Sequence, residues 1–177
     1  MKKILGTIVV LLVIEVVAIG ALIYAGTFDV STWNHDNAAV NWALDTGMTR
    51  SVEAHAKGIS VPDLSGPEML KTGMDHYAEM CVTCHGAPGV QPDEIAKGLW
   101  PRAPELARTV KEWTPAELFW ITRNGVKFTA MPAWGPTHSD DKIWAIVAFL
   151  EKLPELSPAE YAAMRGAAPA EGKKEQP

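Results

Sequence analysis

The chain opens with an apolar run from Ile4 to Ala25 in which Glu15 is the one ionisable interruption. At a helical rise that run reaches about 30 Å, the hydrocarbon thickness of a bilayer, and so predicts a membrane-spanning helix. The stretch 28–65 is mixed in character and reads as a partly helical stalk. Val40, Ala43, Leu44, Met48 and Val52 form a rough apolar stripe at helical spacing within it. This predicts one helix from about Asn37 to Lys57, weakened by Gly47, lying against the membrane surface or the following domain.

From Ser65 onward the polar punctuation sharpens. Ser65-Gly66-Pro67-Glu68, Thr114-Pro115-Ala116-Glu117 and Ser157-Pro158-Ala159-Glu160 each set a hydroxyl three residues before a glutamate, the pattern of a capping box that satisfies two orphan amides reciprocally. Ser139, followed by Asp140 and Asp141 at the positive end of the helix dipole, marks a fourth start, and its hydroxyl can cap. Helices are therefore expected at about 67–80, 115–124 ended by Gly125, 140–153 closed by Pro154, and 158–165. The loops between them are rich in proline and glycine. The one brief β-like run, Val126 to Thr129, is too short to build a sheet. The fold class is all-α with long loops, and such loops in a small domain usually wrap something. The expected parts are an anchor at 1–27, the stalk at 28–65, a helical domain at 66–154, and a short helix with a disordered tail at 155–177; the tail from Gly166 is small and charged.

A net charge of -5 over 177 residues, with lysines and arginines mostly scattered singly among acids, does not resemble a phosphate-neutralising surface. Nucleic acid is not an expected partner. Charge does orient the span: Lys2 and Lys3 precede it and no lysine or arginine follows until Arg50. The positive-inside bias then keeps the N-terminus cytoplasmic and places the rest in the periplasm or another extracytoplasmic space. The competing reading, a cleaved signal peptide, is disfavoured by the length of the run and by Ile23-Tyr24-Ala25, a poor cleavage site. Glu15 is either a protonated passenger or a contact for another membrane subunit. His35 and His55 read as solvated or packing side chains, because neither has a second ligand at a useful spacing.

The chain holds two cysteines, Cys81 and Cys84, followed at once by His85. Cys-x-x-Cys-His is the attachment signature of c-type haem. Two thiols three residues apart can each add to a haem vinyl group, and the adjacent imidazole then lies under the iron. A structural zinc site would want four ligands, and a thioredoxin-like motif a βαβ setting that this pattern lacks. A bare disulfide leaves His85 unexplained. A sealed electron-transfer haem also needs a second axial ligand, and a thioether raises the potential relative to bis-histidine ligation. Met131, in the proline-braced stretch Phe128-Thr129-Ala130-Met131-Pro132-Ala133-Trp134-Gly135, is the favoured candidate and His138 the main alternative. Met74, Met80 and Met164 are weaker, and any methionine can simply fill a core.

Cys81 to His85, the later Met131-Pro132 and the closing helix together resemble a class I c-type cytochrome over about residues 66–154. The resemblance implies that family's fold, with the helix before the haem motif crossing the last helix at close range through a glycine and an aromatic residue. Gly73, Tyr77 and Cys81 recur every four residues for that role, and Trp144 and Phe149 stand on the closing helix. It also implies a proline carbonyl that accepts a hydrogen bond from the haem histidine, orienting it and raising its basicity. Pro104, in Ala103-Pro104-Glu105-Leu106, fits that element after an assumed insertion, with Pro101 as its rival. Trp100, Trp120 and Trp134 are expected to shield the ring.

The function implied is electron carriage outside the cytoplasmic membrane, by one covalent haem c ligated by His85 and Met131, with no catalysis by the chain alone. Redox donors and acceptors would meet it near Cys81, Val82, Ala87 and Pro88 through a small interface. Membrane lipid would be met through residues 4–25. The alternatives are a subunit of a larger membrane oxidoreductase and a haem sensor with an open iron site.

Overall fold

The structure, a computed structural model, describes residues 2–27, 29–32 and 38–166. His35, the expected helix start at Asn37 and the tail from residue 167 lie outside the described residues. Among those described, the chain is helical and carries no strand. It divides into two compact units, Met1–His35 and Asp36–Pro177.

The first unit holds helix α1, Lys2–Tyr24, with no buried residue. Its length and apolar composition make it a candidate membrane anchor.

The second unit begins with α2, Ala38–Ala56. It continues through α3 (Pro67–His76), a π-helical turn at Tyr77–Cys81 and α4 (Val82–His85). Two short helices, α5 (Glu94–Lys97) and α6 (Leu106–Thr109), follow, the second extended by a 3-10 turn at Val110–Glu112. Then come α7 (Pro115–Asn124), α8 (Asp140–Lys152) with a 3-10 turn at Leu153–Glu155, and α9 (Pro158–Met164).

Its centre is the crossing of α3 and α8. Every residue of α8 from Ile143 to Leu150 is buried. Such a helix needs neighbours on all sides, and it finds them in α3, α7 and the turn at Leu153–Glu155. Gly73 is the point of closest approach: a Cβ there would overlap the carbonyl oxygen of Ala145 and come within 3.0 Å of the Phe149 Cβ. One turn on, the Tyr77 ring packs on Phe149 at 5.2 Å, and Phe149 in turn meets Tyr161 of α9 at 6.3 Å. Trp144 faces the other way and stacks on Phe119 of α7 at 4.1 Å. The expected glycine and aromatic crossing is present, with Phe149 rather than Trp144 as the aromatic partner of Tyr77.

The polar punctuation works at two of its three boxes. Thr114 and Ser157 each accept from the backbone of the glutamate three residues on, and Glu117 and Glu160 each accept from the cap backbone in return. Ser65 does not cap. The N-cap of α3 is Gly66, and the Ser65 hydroxyl donates instead to Asp63 Oδ1 at 2.7 Å, a local turn that competes with the cap. Ser139 occupies the N-cap of α8 without a side-chain bond to it. The helix expected at 67–80 ends as α-helix at His76, because the π turn widens the spiral and its hydrogen bond runs from the Val82 amide to Tyr77 O. Val126 to Thr129 forms turns, closed by Thr129 Oγ1 donating to Val126 O at 2.8 Å, and not a strand.

Helix α2 packs on α7 and is buried most deeply near its C-terminal end. Val52 and Ala56 are buried and the His55 ring stacks on Trp120 at 5.3 Å, whereas Val40, Trp42 and Leu44 are exposed. The apolar stripe is thus half used inside the unit, against the following domain.

Candidate functional site

The residues Cys81, Cys84 and His85 stand where the π turn passes into α4. Immediately after His85 the chain reverses. Gly86 takes φ +65, and a Cβ there would lie 2.8 Å from Val90 O, so only glycine fits this turn without strain. Ala87 and Val90 exchange backbone hydrogen bonds at 2.9 and 2.8 Å, and the Asp93 amide donates to Thr83 O at 2.9 Å. The buried Tyr77 hydroxyl donates to Gly86 O at 2.7 Å. The same tyrosine therefore joins the α3–α8 core to the turn behind His85.

Both cysteines are free thiols. Burial, reinforced by Cys84, pushes the Cys81 thiol up to about 12, so it is protonated at neutral pH. His85 Nδ1 stands 2.8 Å from Pro104 O. A carbonyl oxygen only accepts, so Nδ1 carries the proton and Nε2 keeps its lone pair. Burial lowers the proton affinity of His85, with the Pro104 bond acting in the opposite sense. The bond goes to Pro104 and not to Pro101, which follows a cis peptide at Trp100.

Met131 is half-buried in a loop clasped to the end of α7. Gly125, at φ +66, caps that helix so closely that a Cβ would meet Ala133 N and Pro132 C at 2.6 Å and Met131 O at 2.8 Å. Val126 N donates to Met131 O at 3.2 Å, and Met131 N donates to Thr129 Oγ1 at 3.0 Å. Farther along, Trp134 N reaches Thr122 O at 3.2 Å and Gly135 N reaches Arg123 O at 2.9 Å, while Arg123 Nε pairs with Asp140 Oδ1 at 2.9 Å. Among the described residues, Phe128, which is exposed, is the non-glycine residue at positive φ, at 62. Met131 is held by bonds to Val126 and Thr129 in its own loop, which Trp134 and Gly135 tie to α7, and His85 is held by Pro104, so the two residues are fixed by separate elements.

The methionine alternatives to Met131 belong to the core. Met74 is buried in the core, and Met80 and Met164 pack against it. His138 bonds Thr137 Oγ1 through Nδ1 at 2.9 Å, and its ring meets Trp134 and His76 edge-on. Of the three tryptophans expected to act as shields, Trp120 is stacked by the His55 ring and Trp134 meets the His138 ring edge-on. The bracing by Gly125, Thr129 and Tyr77 was not read from the sequence. Gly125 was visible there only as a helix stop.

The donor set fits a covalently held haem c. It offers two reduced thiols three residues apart, a neutral imidazole whose proton is fixed on the far nitrogen, and a thioether on a braced loop. Among the described residues, no three His, Cys, Asp or Glu side chains gather as a metal-ion cluster. Residues 68–150, from the first turn of α3 to near the end of α8, match the family model described as cytochrome C oxidase, cbb3-type, subunit III. No curated protein matches the chain.

Proposed function

With residues 68–150 a class I c-type cytochrome domain, we propose that this chain is a membrane-tethered one-electron carrier with a single covalent haem c held by Cys81 and Cys84 and ligated by His85 and Met131. The hydrogen bond from His85 Nδ1 to Pro104 O carries the reading, because it directs the lone pair of Nε2 to a ligand and makes the imidazole more basic. Haem would supply a ferric/ferrous couple. Cys81 and Cys84 would hold it by two thioether bonds, and the Met131 sulfur would be a ligand that favours the reduced iron. With His85 and Met131 both as ligands, the iron would offer no site to a substrate. The chain then passes electrons and does not itself transform a molecule.

Lys2 and Lys3 before α1, and the lack of basic residues from there to Arg50, support a cytoplasmic N-terminus and an extracytoplasmic haem domain. A tether raises the local concentration of the domain near membrane redox partners. The test is to produce the protein in a host with c-haem maturation and measure haem retained after denaturation. One haem per chain, lost when Cys81 and Cys84 are replaced by alanine, is expected; a chain without covalent haem overturns the proposal.

A second reading, a permanent cytochrome subunit of a membrane oxidase complex, is favoured by the matching family's description and by the exposed Val40, Trp42 and Leu44 of α2. Glu15 in α1 would suit packing against another membrane helix. Purification in mild detergent separates the two: the carrier emerges alone, the subunit with integral membrane partners.

A further inference from the structure

Outside the haem-attachment site, two histidines from different elements meet on the surface. His76 ends α3, and His138 lies just before the N-cap of α8. Their rings are 5.4 Å apart between centroids, with planes at 81°. Two imidazoles sharing a tetrahedral ion, at metal–nitrogen distances of about 2.0–2.1 Å, have centroids roughly 5 Å apart. The separation of the two rings is compatible with a shared ion.

The surrounding bonds prepare His138 as a ligand. Thr137 Oγ1 donates to Trp134 O at 3.2 Å, so at 2.9 Å from His138 Nδ1 the same hydroxyl oxygen accepts the ring proton. Nε2 is left with its lone pair. His76 is held below the usual imidazole range, first by burial and then by His138 and Lys142, against the opposing pull of Glu79 and Asp75. Burial thus favours the uncharged ring, the form that ligates a metal. Of the charged neighbours, Lys142 opposes a cation, while Glu79, three residues on from His76, favours one.

We propose that His76 and His138 bind a divalent transition-metal ion of the zinc type, with water completing the coordination. Imidazole nitrogen suits such ions, and with two protein ligands the site is weaker than a closed structural zinc site. The ion links the end of α3, which leads into Cys81–His85, to the segment leaving the Met131 loop. That is a route by which metal occupancy stiffens both sides of the domain at once.

The test is calorimetric titration of Zn2+, which is redox-inert, into the untagged full chain in detergent, beside His76→Gln and His138→Gln. Far-ultraviolet circular dichroism checks that both variants are folded. One equivalent is expected to bind at pH 7, with affinity at least tenfold lower in each variant. Affinity should also fall as the pH is lowered and protons displace the metal from the rings. Absence of saturable binding, or an affinity that either folded variant leaves unchanged, overturns the site.

Discussion

At the scale of single residues, the domain is organised by atoms that have no room to change. Tyr77 has two tasks, packing its ring on Phe149 and donating its hydroxyl to the turn behind His85. The sequence showed the first through its spacing from Gly73, but not the second, because a turn's carbonyl has no sequence signature. Gly125 is a similar case. Its place as a helix stop was legible, yet its contact with the backbone of Met131, Pro132 and Ala133 depends on how the loop folds back. Gly125→Ala adds a left-handed strain and a clash together, and should destabilise the protein by about 2 kcal/mol. If the loop positions Met131, the same substitution also weakens the optical band due to methionine ligation. Denaturant unfolding and the visible spectrum read the two effects separately.

At the scale of elements, packing decides what propensity alone leaves open. The α3–α8 crossing requires Gly73, since the Ala145 carbonyl occupies the space of any side chain. Gly73→Ala should cost about 3 kcal/mol or abolish folding, at the upper end of overpacking effects. The caps give a sharper comparison, because three similar sequences behave differently. Thr114→Ala and Ser157→Ala each remove an observed cap and should each cost about 1 kcal/mol, measured by denaturant midpoint. Ser65→Ala removes a bond to Asp63 and no cap, so its effect should stay within about 0.5 kcal/mol. Hydroxyl and glutamate spacing thus located the helix starts, while the choice between cap and local turn lay with Asp63. The π turn at Tyr77–Cys81 and the short helices α5 and α6 were not legible, since none is long enough to show an apolar period.

At the scale of the molecule, an apolar helix that is a candidate membrane anchor and a helical c-type cytochrome domain are joined in one chain, and both were readable from the sequence. Residues 38–56 were less so. Read as a stalk, they supply Val52, Ala56 and His55 to the surface of α7 and leave Val40, Trp42 and Leu44 to solvent. Only the three-dimensional arrangement shows where that stripe divides. The candidate site is legible to the same degree: Cys81, Cys84 and His85 announce themselves by spacing, whereas Pro104 and Met131 depend on loops that must return from far along the chain. The measurement that bears most directly on the carrier reading is the visible spectrum of the oxidised protein beside Met131→Ala. The account predicts a thioether-to-ferric charge-transfer band in the parent that vanishes in the variant. Haem attached but without that band in the parent, or a band that survives the substitution, would contradict His85/Met131 ligation.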